Sequence, residues 1–217
     1  MASTEKDVEA IETAKSLKNI PWCEDYEKMI SGMMYNAQAP PLVQGRFKAR
    51  QFMHRYNTHF PPDATVESLT QDREAMLREN FGGVGKSPFV EPPVYFDFVG
   101  NVRVGDEFYA NFGLIILDCA HVTIGNRVMF GPSVSIYTAT HETGVQSRRD
   151  GLEYARPVVI GDDCWIGGGT SIMPGVKIGK GCTIGAASVV TKDIEDWSVA
   201  VGSPARVVRN VDPVPDV

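Results

Sequence analysis

From residue 160 to residue 190 an aliphatic residue returns every six positions: Ile160, Ile166, Ile172, Ile178, Ile184 and Val190. A strict six-residue period without helical spacing is the mark of a β-solenoid, in which each hexad supplies one short strand and one corner. The aliphatic residue points inward, and the small residues after it allow a tight corner. Stacked coils then bury a continuous column and pair their backbones. Ile124, Phe130 and Ile136 carry the same period upstream, and Val104-Gly105 begins an earlier, less regular set. Between Ile136 and Ile160 the hexads lapse. The stretch around 140–156 is polar, with Arg148, Arg149, Asp150 and Gly151, and reads as a loop thrown out of the coil. Loops held by a rigid scaffold are where function concentrates.

The remainder divides around this repeat. Residues 1–24 read as a polar extension with a weak helical pattern, and 25–86 as helical. A short amphipathic segment spans 25–34. Leu42, Phe47, Phe52, Met53 and Tyr56 recur at roughly helical spacing after the break at Pro40-Pro41. A further helix is expected from Thr65 to Phe81, capped by Asp63 or Thr65 and striped by Val66, Leu69, Met76 and Leu77. The solenoid is assigned to 87–209 and a tail to 210–217. Gly85-Lys86-Ser87 hints at a phosphate loop, but Asn80 stands where that motif needs glycine, and a helix rather than a strand precedes it.

The net charge of −6 speaks against nucleic acid as a main partner. No apolar run approaches membrane-spanning length, and the acidic N-terminus lacks the apolar core of a secretory signal, so the cytoplasm is the expected compartment. Cys23, Cys119, Cys164 and Cys182 match no zinc spacing and read as buried thiols.

Several motifs then converge. Ala49-Arg50, Arg55-Tyr56-Asn57 and Val90-Glu91-Pro92-Pro93 precede Phe108-Tyr109-Ala110-Asn111-Phe112. Tyr137-Thr138-Ala139-Thr140-His141, Cys164-Trp165-Ile166-Gly167 and Pro174-Gly175-Val176 follow. Val190-Thr191-Lys192-Asp193 and Gly202-Ser203-Pro204-Ala205-Arg206 complete the set. In these the chain resembles the maltose and galactoside O-acetyltransferase group of the hexapeptide-repeat acyltransferases, over roughly residues 25–209. The resemblance implies a mainly β fold, a left-handed parallel β-helix with an N-terminal helical segment that helps bind the acceptor. It further implies a homotrimer with active sites between subunits. The implied reaction moves an acetyl group from acetyl-CoA, with no metal, to a hydroxyl of a sugar or similar small acceptor.

Such a transfer needs a base for the hydroxyl proton, stabilisation of the developing oxyanion, and a cofactor held in line. An imidazole titrates near neutrality, and His141 matches the catalytic histidine of the group. Glu153, at the end of the loop, is the candidate to orient or polarise it, and Asn111 matches an asparagine that contacts the acceptor. Trp165, Gly167, Gly168, Ala186, Thr191, Lys192 and Arg206 match cofactor-binding positions. The glycines let a ligand approach the backbone, and the cations suit CoA phosphates. Asn36, Arg46, Tyr109 and Asp118 are the acceptor-side candidates.

Two acids common in the group are absent. Its Tyr-Asp pair reads Tyr35-Asn36 here, and the acid beside Asp118 is replaced by Cys119. Alternative readings are a xenobiotic or antibiotic O-acetyltransferase and a β-helix binding protein without chemistry. The maltose-type helical segment weighs against the first; intact His141, Asn111 and Trp165 weigh against the second. A metal hydratase on the same coil would need a histidine triad, and only His121 and His141 lie in the solenoid.

Overall fold

The computed structural model describes residues 1–215; the last two residues of the assigned tail lie outside the described residues. The hexads wind into a parallel β-solenoid with three faces, visited in rotation. Face I stacks Gly83–Val84, Val102–Val104, Val122–Ile124, Val158–Ile160 and Lys177–Ile178. Face II stacks Phe89–Val90, Tyr109–Ala110, Met129–Phe130, Trp165–Ile166, Thr183–Ile184 and Ser198–Val201, and Arg206–Asn210 returns antiparallel along the last of these. Face III stacks Val94–Phe96, Leu114–Leu117, Ser135–Tyr137, Ser171–Ile172 and Val189–Val190.

Register keeps the repeated aliphatics on top of one another. Ile160 pairs with Ile124 and Ile178, and Ile166 with Phe130 and Ile184. All are buried, each contributing about 1.5–3 kcal/mol of apolar transfer. Cys164 and Cys182 are buried in the same interior. At the edge between faces I and II the coils are also stitched by short polar side chains. Asp162 Oδ1 accepts from Asn126 N at 2.7 Å, Asn126 Oδ1 from Asp106 N at 2.8 Å, and Asp106 Oδ1 from Lys86 N at 2.7 Å. Gly125 leaves room for this ladder: a Cβ there would sit 2.2 Å from Asp162 Oδ1. Gly85 and Lys86 thus belong to the first solenoid corner.

Four helices cap and flank the coil: α1 (Val8–Lys15), α2 (Glu24–Ile30), α3 (Pro40–Thr58) and α4 (Val66–Asn80). α3 begins two residues earlier than the periodicity suggests, because proline at the first helical positions gives up only amide hydrogens that have no partner there. Thr65 caps α4 in a reciprocal pair with Ser68, as expected of a threonine ahead of an amphipathic stripe. Ala49, Phe52, Tyr56 and Leu77 join the solenoid core, while Tyr26, Met29, Leu42 and Phe98 form a second core with Ala14 of the N-terminal segment. The Tyr56-Asn57 motif is a clamp. Tyr56 Oη donates to Val90 O at 2.8 Å, and the Asn57 amide both donates to Val94 O and accepts from Val94 N.

Candidate active site

The break in the hexads is a hairpin. Ala139–Thr140 pairs antiparallel with Leu152–Ala155, and a five-residue helix, α5 (Val145–Arg149), forms its tip. Tyr35–Asn36 adds a third strand, opposing Tyr35 to Glu153 and Asn36 to Leu152. His141 leaves the hairpin just past Thr140, half-exposed. Its Nδ1 lies 3.3 Å from Leu152 O, and its Nε2 lies 3.6 Å from Glu153 Oε2. A carbonyl oxygen can only accept, so Nδ1 carries the hydrogen, and in the neutral ring Nε2 is the nitrogen with the free lone pair. At 3.6 Å the carboxylate is close without being hydrogen-bonded to that nitrogen. Tyr35 Oη donates to the other oxygen, Oε1, of Glu153. Beside His141 opens a cavity of about 270 Å³ lined by Met1, Glu142, Thr143, Gly144 and Tyr154. A larger cleft of about 480 Å³ between α3, Asn19, Asn80 and Phe98 contains none of the candidate residues.

The other candidates fall in three places. Asn36 stands next to the hairpin; its backbone N donates to Asp25 Oδ1 at 2.9 Å. Cys119 is buried with its thiol 3.5 Å from Asp97 Oδ2. Both positions that depart from the family pattern therefore have a carboxylate from elsewhere in the chain beside them, which no local motif announces. Arg46 is engaged structurally, donating to Ala37 O at 2.7 Å and lying over the Phe98 ring. Thr191 and Lys192 follow a face III strand and are exposed on the same edge of the prism as the hairpin.

The second group lies on face II and the edge after it. Tyr109 stacks on Phe89 with ring centroids 6.0 Å apart, and Trp165, 52% exposed, stands farther along the same face beside Met129. Asn111, Gly167, Gly168 and Ala186 follow face II strands and line the next edge. Gly167 is already required by coil stacking, since a Cβ would meet Ala186 N at 2.5 Å. Arg206 is exposed on the return strand. Face III lies between Asn111 and His141, so one chain does not bring them together.

Asp118 is corrected: it does not reach the surface. It is fully buried, and its Oδ1 accepts from the backbone N–H of Asp97 at 3.0 Å and of Phe98 at 2.9 Å. Its Oδ2 is buried without a partner, and burial pushes its carboxyl up to about 7. Asp118 holds the Asp97-Phe98 turn under the site. His121 is mostly covered, and burial lowers its imidazole to about 4. Among the described residues no cluster of three or more His, Cys, Asp or Glu could hold a metal, and no helix is long and apolar enough to cross a membrane. Tyr35 and the Leu152 carbonyl are the participants that sequence reasoning missed.

This solenoid with its capping helices and hairpin is shared with known proteins. Residues 28–85 match the maltose acetyltransferase hexapeptide capping motif, and 157–192 match the bacterial transferase hexapeptide (six repeats). The chain is 38% identical over 186 residues to the galactoside O-acetyltransferase of Escherichia coli (strain K12), covering 86% of this chain and 89% of that one. Its structure is similar to a maltose O-acetyltransferase from Clostridium difficile 630, with TM-score 0.83, 42% identity, and coverage of 88% of this chain and 99% of that one. It is also similar to a galactoside acetyltransferase in complex with coenzyme A, with TM-score 0.80, 37% identity, and coverage of 88% and 92%. The fold and the hairpin define a hexapeptide-repeat acetyltransferase. Within that class the chain belongs to the maltose and galactoside O-acetyltransferase group.

Proposed function

We propose that this acetyltransferase moves the acetyl group of acetyl-CoA to a hydroxyl of a sugar or similar small acceptor, with His141 as general base. The observation that carries the reading is the orientation of the imidazole. Nδ1–H is spent on Leu152 O, which leaves the Nε2 lone pair for an incoming O–H. As Nε2 takes the proton, the imidazolium gains a carboxylate neighbour at 3.6 Å. That interaction is worth on the order of 1 kcal/mol at a half-exposed position. Acetyl-CoA supplies the activated acyl group. Trp165, Gly167, Gly168 and Ala186 would line its groove, and the exposed cations Lys192, beside Thr191, and Arg206 suit its phosphates. The Gly167-Gly168 and Ala186-Ala187 corners fit such a ligand, because they carry no long side chain. The carboxylates of Asp25 and Asp97, beside Asn36 and Cys119, suit an acceptor rich in hydroxyl groups.

Asn111 and Tyr109, like Trp165, Gly167, Gly168 and Ala186 on the same side of the coil, meet His141 only if a second copy supplies them, which supports a homotrimer with sites between subunits. The exposed apolar column of Phe89, Met129 and Trp165 on face II is a surface that a further subunit would cover. The test follows free thiol release from acetyl-CoA across maltose, glucose, galactosides, amino alcohols and serine, with His141→Ala as control. Release with a sugar, lost in the variant, is the expected result. Release confined to amino alcohols or serine would overturn the sugar assignment. Mixing His141→Ala with Asn111→Ala subunits should restore part of the activity; no restoration would put both residues' roles in one chain.

A further inference from the structure

We propose that Tyr35 is the positioning residue that holds the Glu153 carboxylate and, through it, sets the basicity of His141. The inference rests on His141 being the base. The strand Tyr35–Asn36 opposes Tyr35 to Glu153, although the two are 118 residues apart in sequence. The phenol is 1% exposed, packed among the buried residues of the second core. Its hydroxyl donates to Glu153 Oε1, and this leaves Oε2 as the oxygen facing His141 Nε2 at 3.6 Å. A glutamate side chain has several rotatable bonds, so a single anchored oxygen removes most of its freedom. The carboxylate is thereby kept near the imidazole but occupied enough not to seize it.

The groups that bear on this contact come from several elements. Cys119 flanks the phenol from the coil, with Asp97 beside it, and Arg50 of α3 pairs with Asp97 at 3.3 Å. Asp118 is buried next in sequence to Cys119. Burial, with Cys119 and Glu153 adding to it, holds the phenol protonated well above the ordinary tyrosine range, so Tyr35 remains a donor throughout the working pH range.

Tyr35→Phe keeps the ring and removes only the donor. Glu153, with its side chain 19% exposed, then has an unsatisfied oxygen, and the nearest cation it can satisfy is the His141 imidazolium. A freed carboxylate favours the charged ring, so the base stays protonated to higher pH. The expected result is an acid limb of kcat/KM moved up by about 0.5–1 pH unit, which costs roughly 3–10-fold below the limb and recovers above it. Glu153→Gln should move the limb down. In the Glu153→Gln background, Tyr35→Phe should leave the limb where Glu153→Gln put it. A loss equal at all pH values, or a second shift in the double variant, would overturn the proposal. Proton NMR titration of the His141 ring, assigned by its disappearance in His141→Ala, reads the same shifts without turnover. If those shifts appear while no acceptor is acetylated, the transferase reading fails and the Tyr35 coupling stands; if they are absent, the coupling fails whatever the turnover.

Discussion

The coils of the solenoid stack in one repeated register, whereas the contacts that build the His141 site repeat none. Ile166 meets Phe130 and Ile184 because each coil copies the register of the last. Tyr35 meets Glu153 across 118 residues, and Tyr26 meets Asn101 across 75, through strands and turns that occur once. The first region is held by apolar burial summed over many equivalent positions. The second is held by a handful of individual polar contacts around a half-exposed ring. Stability therefore resides in the coil, and the candidate chemistry resides in an element the coil merely supports.

That division can be broken by experiment. His141→Ala should lower kcat by about 10²–10⁴ as the general base is lost, with the unfolding midpoint unchanged because the ring is half-exposed. A comparable fall in thermal stability would erase the distinction. Ile166→Ala should cost about 2–5 kcal/mol, since the side chain is fully buried between two coils. Urea titration checks it, and a cost under about 1 kcal/mol would mean that the coil is not held by its aliphatic column.

A pH-dependent effect falls where the two regions meet. Asp118 is buried with its carboxyl raised to about 7 from an ordinary 3.8, so the folded state holds that proton more tightly than the unfolded chain. Its contribution is complete below the unfolded value and is lost as pH rises through about 7. The stability of the wild type relative to Asp118→Asn should therefore decline between pH 4 and 7. Parallel pH curves for the two proteins would show that the buried carboxyl does not titrate in this range.

The physical basis of these differences also decides what could be read without coordinates. The hexads declared the solenoid because inward-pointing residues recur at the interval of the coil itself. The stripe and cap of α4, and the lapse that marks the hairpin, were legible for the same reason: each is a local pattern in consecutive residues. His141, Asn111 and Trp165 stood out through their motifs. The neighbours of those residues did not. Asp118 looked like an acceptor ligand because an acid near a matched position is polar, and polarity alone says nothing of burial. Its Oδ1 turned inward because the two amides of the Asp97-Phe98 turn lay there to receive it.

The sequence by itself determined the repeat, the flanking helices, the exposed loop and the histidine, all of them properties of spacing along the chain. Only the tertiary structure decided that Tyr35 anchors Glu153, that Asp25 and Asp97 stand beside Asn36 and Cys119, and that face III divides Asn111 from His141. Spacing fixes which face of a strand a residue occupies. Which distant segment arrives opposite it depends on how coil, helices and hairpin close on one another, and that closure is set by burial summed over the whole molecule.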